Sequence, residues 1–332
     1  MSQVQRSAPK IELHVHLEGT VRPGLLAEIA QRHHSPLPER LEHLYRFRTL
    51  YEFIDTWNTL TRCLRSPSDY RLITLAYAAE AAAHGAVYLE PALDAEERFG
   101  GPAGWADILA ACCDAADEAR ERFGVTIGWT PQIFRGYDVA MGEEAARVAT
   151  RFVGRGVVGF GLSGAEGRAA TAPHARAVRI AQEGGLPFVP HAGEAAGPEA
   201  VREVLALGAV RVRHGVRAVE DPDLVAELAD RGIVLDVTLT SNVRLGVTPS
   251  LARHPLRTLL AAGVRCSVST DDPAILDTTL SDEYAVAEEL GLSAGGAFAA
   301  GLAGALCDPA TRARLATVGE LAYGPTATWA SP

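Results

Sequence analysis

Apolar and polar residues alternate strictly from Ile11 to Glu18, a period of two that predicts a strand. Ile11, Leu13, Val15 and Leu17 then share one face, and Glu12, His14, His16 and Glu18 the other. The segment from Thr20 to Ser66 is long for a connection, and within it Leu50, Phe53, Ile54, Trp57 and Leu60 recur at helical spacing. That stripe fits a helix packed on the core and fits equally a lid over an apolar pocket. Beyond residue 70, helical patterns and short apolar runs take turns. Helices are predicted over 70–84, 105–123, 143–154, 173–184, 198–208, 221–232 and 254–262, and strands over 86–91, 125–129, 157–162, 186–190, 210–213, 233–239 and 264–268.

With the first strand the count is eight, and eight strands alternating with helices predict an α/β (β/α)8 TIM barrel with a helical insertion after strand 1. A doubly wound open sheet is the alternative. The pattern holds no linker, repeat or low-complexity stretch. Residues 1–332 therefore read as one domain, with the barrel over about 9–290, closing helices over 291–325 and a frayed end at Thr326–Pro332.

Composition narrows the function. A net charge of −10 without a basic stripe argues against nucleic acid as a partner, because phosphate binding needs Lys and Arg. Met1–Lys10 lacks an apolar core like that of a secretion signal, and no run of about 18 apolar residues occurs. A cytoplasmic protein with no membrane partner is expected. Cys63, Cys112, Cys113, Cys266 and Cys307 show no paired spacing and read as buried thiols.

The chemistry gathers at strand ends. His14 and His16 lie two apart on one strand, and three further clusters each follow an apolar run: His191-Ala192-Gly193-Glu194, Arg213-His214-Gly215 and Ser269-Thr270-Asp271-Asp272-Pro273. Imidazoles plus a carboxylate, with one position left for water, make a hydrolytic zinc site, and His14, His16, His191 and Asp271 supply that set. Asp272 points away from its neighbour, so only one of the two need ligate. Glu194, three residues past His191, suits a carboxyl kept protonated as a general acid, and His214 a base or water-orienting group. Lys10 is the only lysine and precedes the first strand, so no carboxylated lysine is available to bridge two ions. A single-metal site follows. No C-x-x-C pair, G-x-S-x-G elbow or P-loop is present.

Lys10 through Glu18, His191–Glu194, His214-Gly215, Thr240-Ser241-Asn242 and Ser269–Pro273, in this order, resemble the adenosine/adenine deaminase family of the amidohydrolase superfamily. The resemblance spans about residues 9–290. It implies one zinc per chain on His14, His16, His191 and Asp271. It also implies that Glu194 gives a proton to N1 of a purine, that His214 orients or deprotonates the attacking water, and that Asp272 hydrogen-bonds that water or the purine edge. Gly164 would offer its N–H to the ring.

Two departures bear on the substrate. Thr238-Leu239 stand where the family has Cys-Pro, and Glu18 stands where nucleoside-specific members have Asp contacting the sugar. Glu18, His214–Arg217 and Ser241–Leu245 are similar to the free-base branch, whereas Phe160–Gly164 and Thr278-Thr279-Leu280 are similar to nucleoside-acting members. The expected activity is zinc-dependent hydrolytic deamination of a 6-aminopurine, an adenosine-type nucleoside first. Adenine or a modified nucleoside such as 6-aminodeoxyfutalosine is the alternative. A purine-sensing pseudoenzyme should have lost a ligand, Glu194 or His214, and none is lost. Hydrolysis of an unrelated amide or ester would have no need of a proton donor aimed at N1.

Overall fold

The computed structural model describes residues 7–47, 50–94, 99–136, 138–164 and 166–325; the Thr326–Pro332 end lies outside them. Among the described residues the strands are β1 (Lys10–His16), β2 (Ala86–Asp94), β3 (Thr126–Ile127), β4 (Thr130–Arg135), β5 (Gly161–Gly164), β6 (His191–Ala192), β7 (Arg211–His214), β8 (Val234–Val237) and β9 (Arg265–Val268). They form two parallel sheets, β1-β2-β4-β5 with β3 also on β2, and β6-β7-β8-β9. Single bridges join the sheets into a ring, Phe160 to Phe188 to Ala209 on one side and Val15 to Asp271 on the other. The result is the (β/α)8 barrel.

The third barrel strand is where the sequence expectation fails. Predicted over 125–129, it is broken at Gly128-Trp129 and resumes at Thr130–Arg135, both pieces pairing with β2. A Cβ on Gly128 would meet Val158 Cγ2 at 2.8 Å, and Trp129 turns to pair with Val157. The second piece was missed because Pro131, Gln132 and Arg135 spoil an apolar pattern. The seventh strand is shorter than predicted, since Leu239–Arg244 is a helical turn, and the fifth reduces to the Phe188 bridges and β6.

The strict alternation of β1 also breaks. Glu12 pairs with Leu89 and Val15 with Pro91, three steps against two, so β1 carries a bulge. The N–H groups of Leu13 and His14 both donate to Ser269 Oγ, at 3.2 and 3.1 Å. Glu12 therefore leaves the histidine face. It accepts from Thr270 N–H at 3.0 Å, Thr270 Oγ1 at 2.6 Å and Tyr77 Oη at 2.5 Å, while His14 turns inward. Ile11 and Leu13 pack with Tyr88, Phe298 and Leu315, whereas Val15 and Leu17 join the larger core beneath the outer helices.

Helix Ala294–Gly304 closes the end of the barrel opposite the strand C-termini. Its glycines permit that contact, because a Cβ on Gly301 would lie 2.9 Å from Ile11 Cβ and one on Gly304 3.0 Å from Leu13 Cδ1. Inside this end the buried Arg211 guanidinium pairs with Glu90 and Asp236, each at 2.7 Å.

The insertion after β1 holds helices Pro23–Arg32, Leu41–Leu44, Leu50–Thr61 and Pro67–Ala83. The last is started by Pro67 and by a reciprocal Ser66–Asp69 cap. In helix Leu50–Thr61, Leu60 is fully buried, Phe53 and Trp57 pack against the core, and Ile54 faces solvent. Cys63, Cys112, Cys113 and Cys266 are buried free thiols, and Cys307 is half-buried. Among the described residues no helix is long and apolar enough to cross a membrane.

Candidate active site

The C-terminal ends of β1, β6, β7 and the segment after β9 converge on one point. His14 Nε2 and His16 Nε2 lie 3.1 and 3.2 Å from His191 Nε2, and Asp271 Oδ1 lies 3.1 Å from His14 Nε2 and 3.4 Å from His16 Nε2. The ligand atoms of these four buried residues all fall within 4.8 Å of one another. Backbone pairing makes this possible: His16 N–H donates to Asp271 O at 2.8 Å and Asp271 N–H to His14 O at 3.1 Å. Asp271 and His214 hold positive φ, 66° and 62°, a strained state for side-chain-bearing residues and one that clusters at functional sites.

The donor set fits a divalent metal. Burial drives His14 down to about 3 and His191 well below the ordinary imidazole value, so both rings are neutral and offer lone pairs. His14 Nδ1 faces the Asp236 carbonyl at 3.3 Å, where only an N–H fits, which leaves Nε2 as the lone-pair nitrogen. Ser241 Oγ donates to the other Asp271 oxygen at 2.6 Å. Three neutral imidazoles and one carboxylate are the ligand types zinc takes. Lys10 opens β1 at the far end of the barrel and donates to Ala8 O at 2.9 Å, well removed from this cluster.

Glu194 and His214 stand beside this cluster. His214 Nε2 is 3.5 Å from Glu194 Oε2, and with Asp271 they form a second convergent group. Burial raises Glu194 to about 7, although a quarter of its side chain is exposed. Asp272 is pushed well above the usual carboxylate range, by burial first and then by the Asp271 charge. Its Oδ1 is buried without a partner. Gly19 presses against it: a Cβ there would come within 2.9 Å of Asp272 Cα. Gly19→Ala is expected to cost about 1–3 kcal/mol of stability by overpacking. It should also lower kcat/KM by about 100-fold by displacing Asp272. Denaturant unfolding and steady-state kinetics check both effects.

Glu18 is buried, its Oε1 accepting from Tyr70 Oη at 3.1 Å and from Asp94 N–H at 3.3 Å. Gly164 ends β5 with φ +88°, its backbone against that of Arg135. Trp57 of the insertion sets its ring edge-on to His16, 5.6 Å between centroids, so the helix that packs on the core also reaches the histidine–aspartate cluster.

Sequence reading missed the side chains that hold this loop. Glu166 Oε2 accepts from the N–H groups of Glu194, Ala195 and Ala196 at 3.1, 3.1 and 2.9 Å. From the other end, Arg135 Nη2 donates to His191 O at 2.6 Å. The stretch carrying His191 and Glu194 is thus held between two opposite charges. A lone carboxylate in a loop gives no sequence signal for such a role, and Arg135 lies in the strand piece that was not predicted. Glu166→Ala strands three adjacent amides and is expected to lower kcat about 10- to 100-fold with metal content unchanged, as measured by kinetics beside elemental analysis.

Fold and site together define a metal-assisted hydrolase of the (β/α)8 class. The sequence pattern of the family described as adenosine deaminase matches residues 9–315, and the chain belongs to that family. It is 43% identical to an aminodeoxyfutalosine deaminase of Acidothermus cellulolyticus, over 98% of this chain and 95% of that one. Among solved structures it is similar to an adenine deaminase from Arthrobacter aurescens, with TM-score 0.85, 28% identity, and coverage of 95% of this chain and 99% of that one. It is also similar to an amidohydrolase from Burkholderia ambifaria with bound Zn, with TM-score 0.86, 27% identity, and coverage of 96% and 92%. The chain is a hydrolytic deaminase that acts on C–N bonds of adenine- or adenosine-type substrates.

Proposed function

We propose that this chain is a zinc-dependent deaminase of a modified adenine nucleoside, aminodeoxyfutalosine, giving the 6-oxopurine product and ammonia. The observation that carries the reading is the 43% identity, along 98% of the chain, to a relative named for that activity. An adenine deaminase of Chelativorans stands at 36% over 84% of the chain. This favours the modified-nucleoside alternative over unmodified adenosine, the first expectation from sequence.

His14, His16, His191 and Asp271 would hold the ion. Zinc supplies Lewis acidity that makes water a nucleophile near neutral pH. Glu194, held protonated by burial, gives its proton to ring N1 as charge develops there on attack at the amino-bearing carbon. His214 orients the attacking water, and Asp272, with its unpartnered buried oxygen, hydrogen-bonds that water or the purine edge. The Gly164 N–H meets the ring, Glu18 contacts the substrate beyond it, and helix Leu50–Thr61 keeps bulk water out.

The test is a steady-state comparison of zinc-loaded protein on aminodeoxyfutalosine, adenosine, 2′-deoxyadenosine and adenine, reading ammonia and loss of the aminopurine absorbance. A kcat/KM for aminodeoxyfutalosine about 100-fold or more above the others is expected. Preference for adenosine or adenine would overturn the substrate assignment.

A further inference from the structure

The water-orienting histidine is wired to a second buried histidine that none of the roles above uses. His214 Nδ1 lies 3.2 Å from Asn242 Nδ2 and 3.1 Å from Thr238 Oγ1; Asn242 Oδ1 lies 3.1 Å from His254 Nε2; and Leu256 N–H donates to His254 Nδ1 at 3.1 Å. Asn242, His254 and His214 are buried, and the helix Leu256–Ala261 begins at the residue that makes the last contact.

A backbone N–H can only donate, and this fixes every proton along the chain. Leu256 N–H meets a lone pair on His254 Nδ1. Burial keeps His254 neutral, at about 4, so its one ring proton sits on Nε2 and is donated to Asn242 Oδ1. The Asn242 amide is thereby oriented with its nitrogen toward His214, and an amide nitrogen has no acceptor capacity. His214 Nδ1 must receive that N–H, and in neutral His214 the ring proton sits on Nε2. The Thr238 hydroxyl, 3.1 Å from the same nitrogen, can donate or accept and so does not oppose this arrangement. Reversing the Asn242 amide would require a proton on His254 Nδ1, directly opposed to Leu256 N–H.

We propose that His254 and Asn242 are positioning residues that lock His214 in the tautomer carrying its proton on Nε2, the nitrogen that faces Glu194 and the reaction space. His214 then works as a hydrogen-bond donor to the reacting oxygen, and the neutral ring has no lone pair there with which to deprotonate water. The inference rests on His214 as the water-orienting group but not on which aminopurine is the substrate. Its main readout needs no substrate, so the two fail separately.

The experiment is long-range 1H–15N correlation on zinc-loaded protein labelled at histidine nitrogen, in which protonated and lone-pair ring nitrogens resonate apart. Native protein is expected to show His214 with Nε2 protonated and Nδ1 bare. Asn242→Asp, which can only accept, should move the proton to Nδ1. His254→Leu should mix the two tautomers and lower kcat about 10- to 100-fold, with KM within about twofold. His254→Gln, whose amide can still donate to Asn242, should restore both. A native His214 protonated on Nδ1 would overturn the proposal without any variant having to fold. So would a His254→Leu protein that keeps the single tautomer, whether or not kcat falls.

Discussion

Glu194→Gln is expected to lower kcat by about 10²- to 10⁴-fold while the protein still binds one zinc per chain. The amide keeps the shape and can still hydrogen-bond, but it has no proton to transfer to the ring. Glu194 sits three residues past His191, its own N–H held by Glu166, and lies outside the four-residue ligand cluster. The loss should therefore fall on chemistry rather than on metal content. The pH profile carries the same prediction with a definite sign. Burial raises Glu194 to about 7, so the carboxyl keeps its proton below that pH and loses it above. The protonated form is the competent one, and kcat/KM should decline on the alkaline side of about 7, a limb that the Gln variant lacks. A variant that retained native kcat would remove Glu194 from the reaction and revive hydrolysis of an unrelated substrate.

The second large effect is expected at the ion. Stripping the protein with a chelator should lower kcat/KM by about 10³-fold or more, because Lewis acidity contributes several kcal/mol to a barrier of this kind. Zinc should restore it. His191→Ala should show the same loss without recovery, since His191 Nε2 is the atom that both β1 histidines approach, at 3.1 and 3.2 Å. Metal-free protein with full turnover would contradict the site.

Much of this was legible in the sequence because barrel chemistry sits at strand ends. The His14/His16 pair on the first strand and three polar clusters that each follow an apolar run named His14, His16, His191 and Asp271 as candidate ligands, and the structure brings their donor atoms within 4.8 Å. Three parts were not legible, each for a physical reason. The β1 bulge is set by Ser269, a residue more than 250 positions away that receives two consecutive N–H groups, and no local alternation reports it. The Thr130–Arg135 strand carries buried polar groups, Gln132 and Arg135, that a hydrophobicity pattern reads as loop. The supports of the site, Glu166 under the Glu194 loop, Ser241 on Asp271 and His254 behind Asn242, become visible only when the barrel closes. The Thr238 that replaces the family's cysteine could be noted from sequence, but its place 3.1 Å from His214 Nδ1 could not.

The most direct test is anomalous diffraction at the zinc edge from crystals of the metal-loaded protein. One strong peak per chain is expected, bounded by the Nε2 atoms of His14, His16 and His191 and by Asp271 Oδ1, with Glu194 and His214 beside it. A peak elsewhere in the barrel, a second ion in the site, or none at full occupancy of those residues would contradict it.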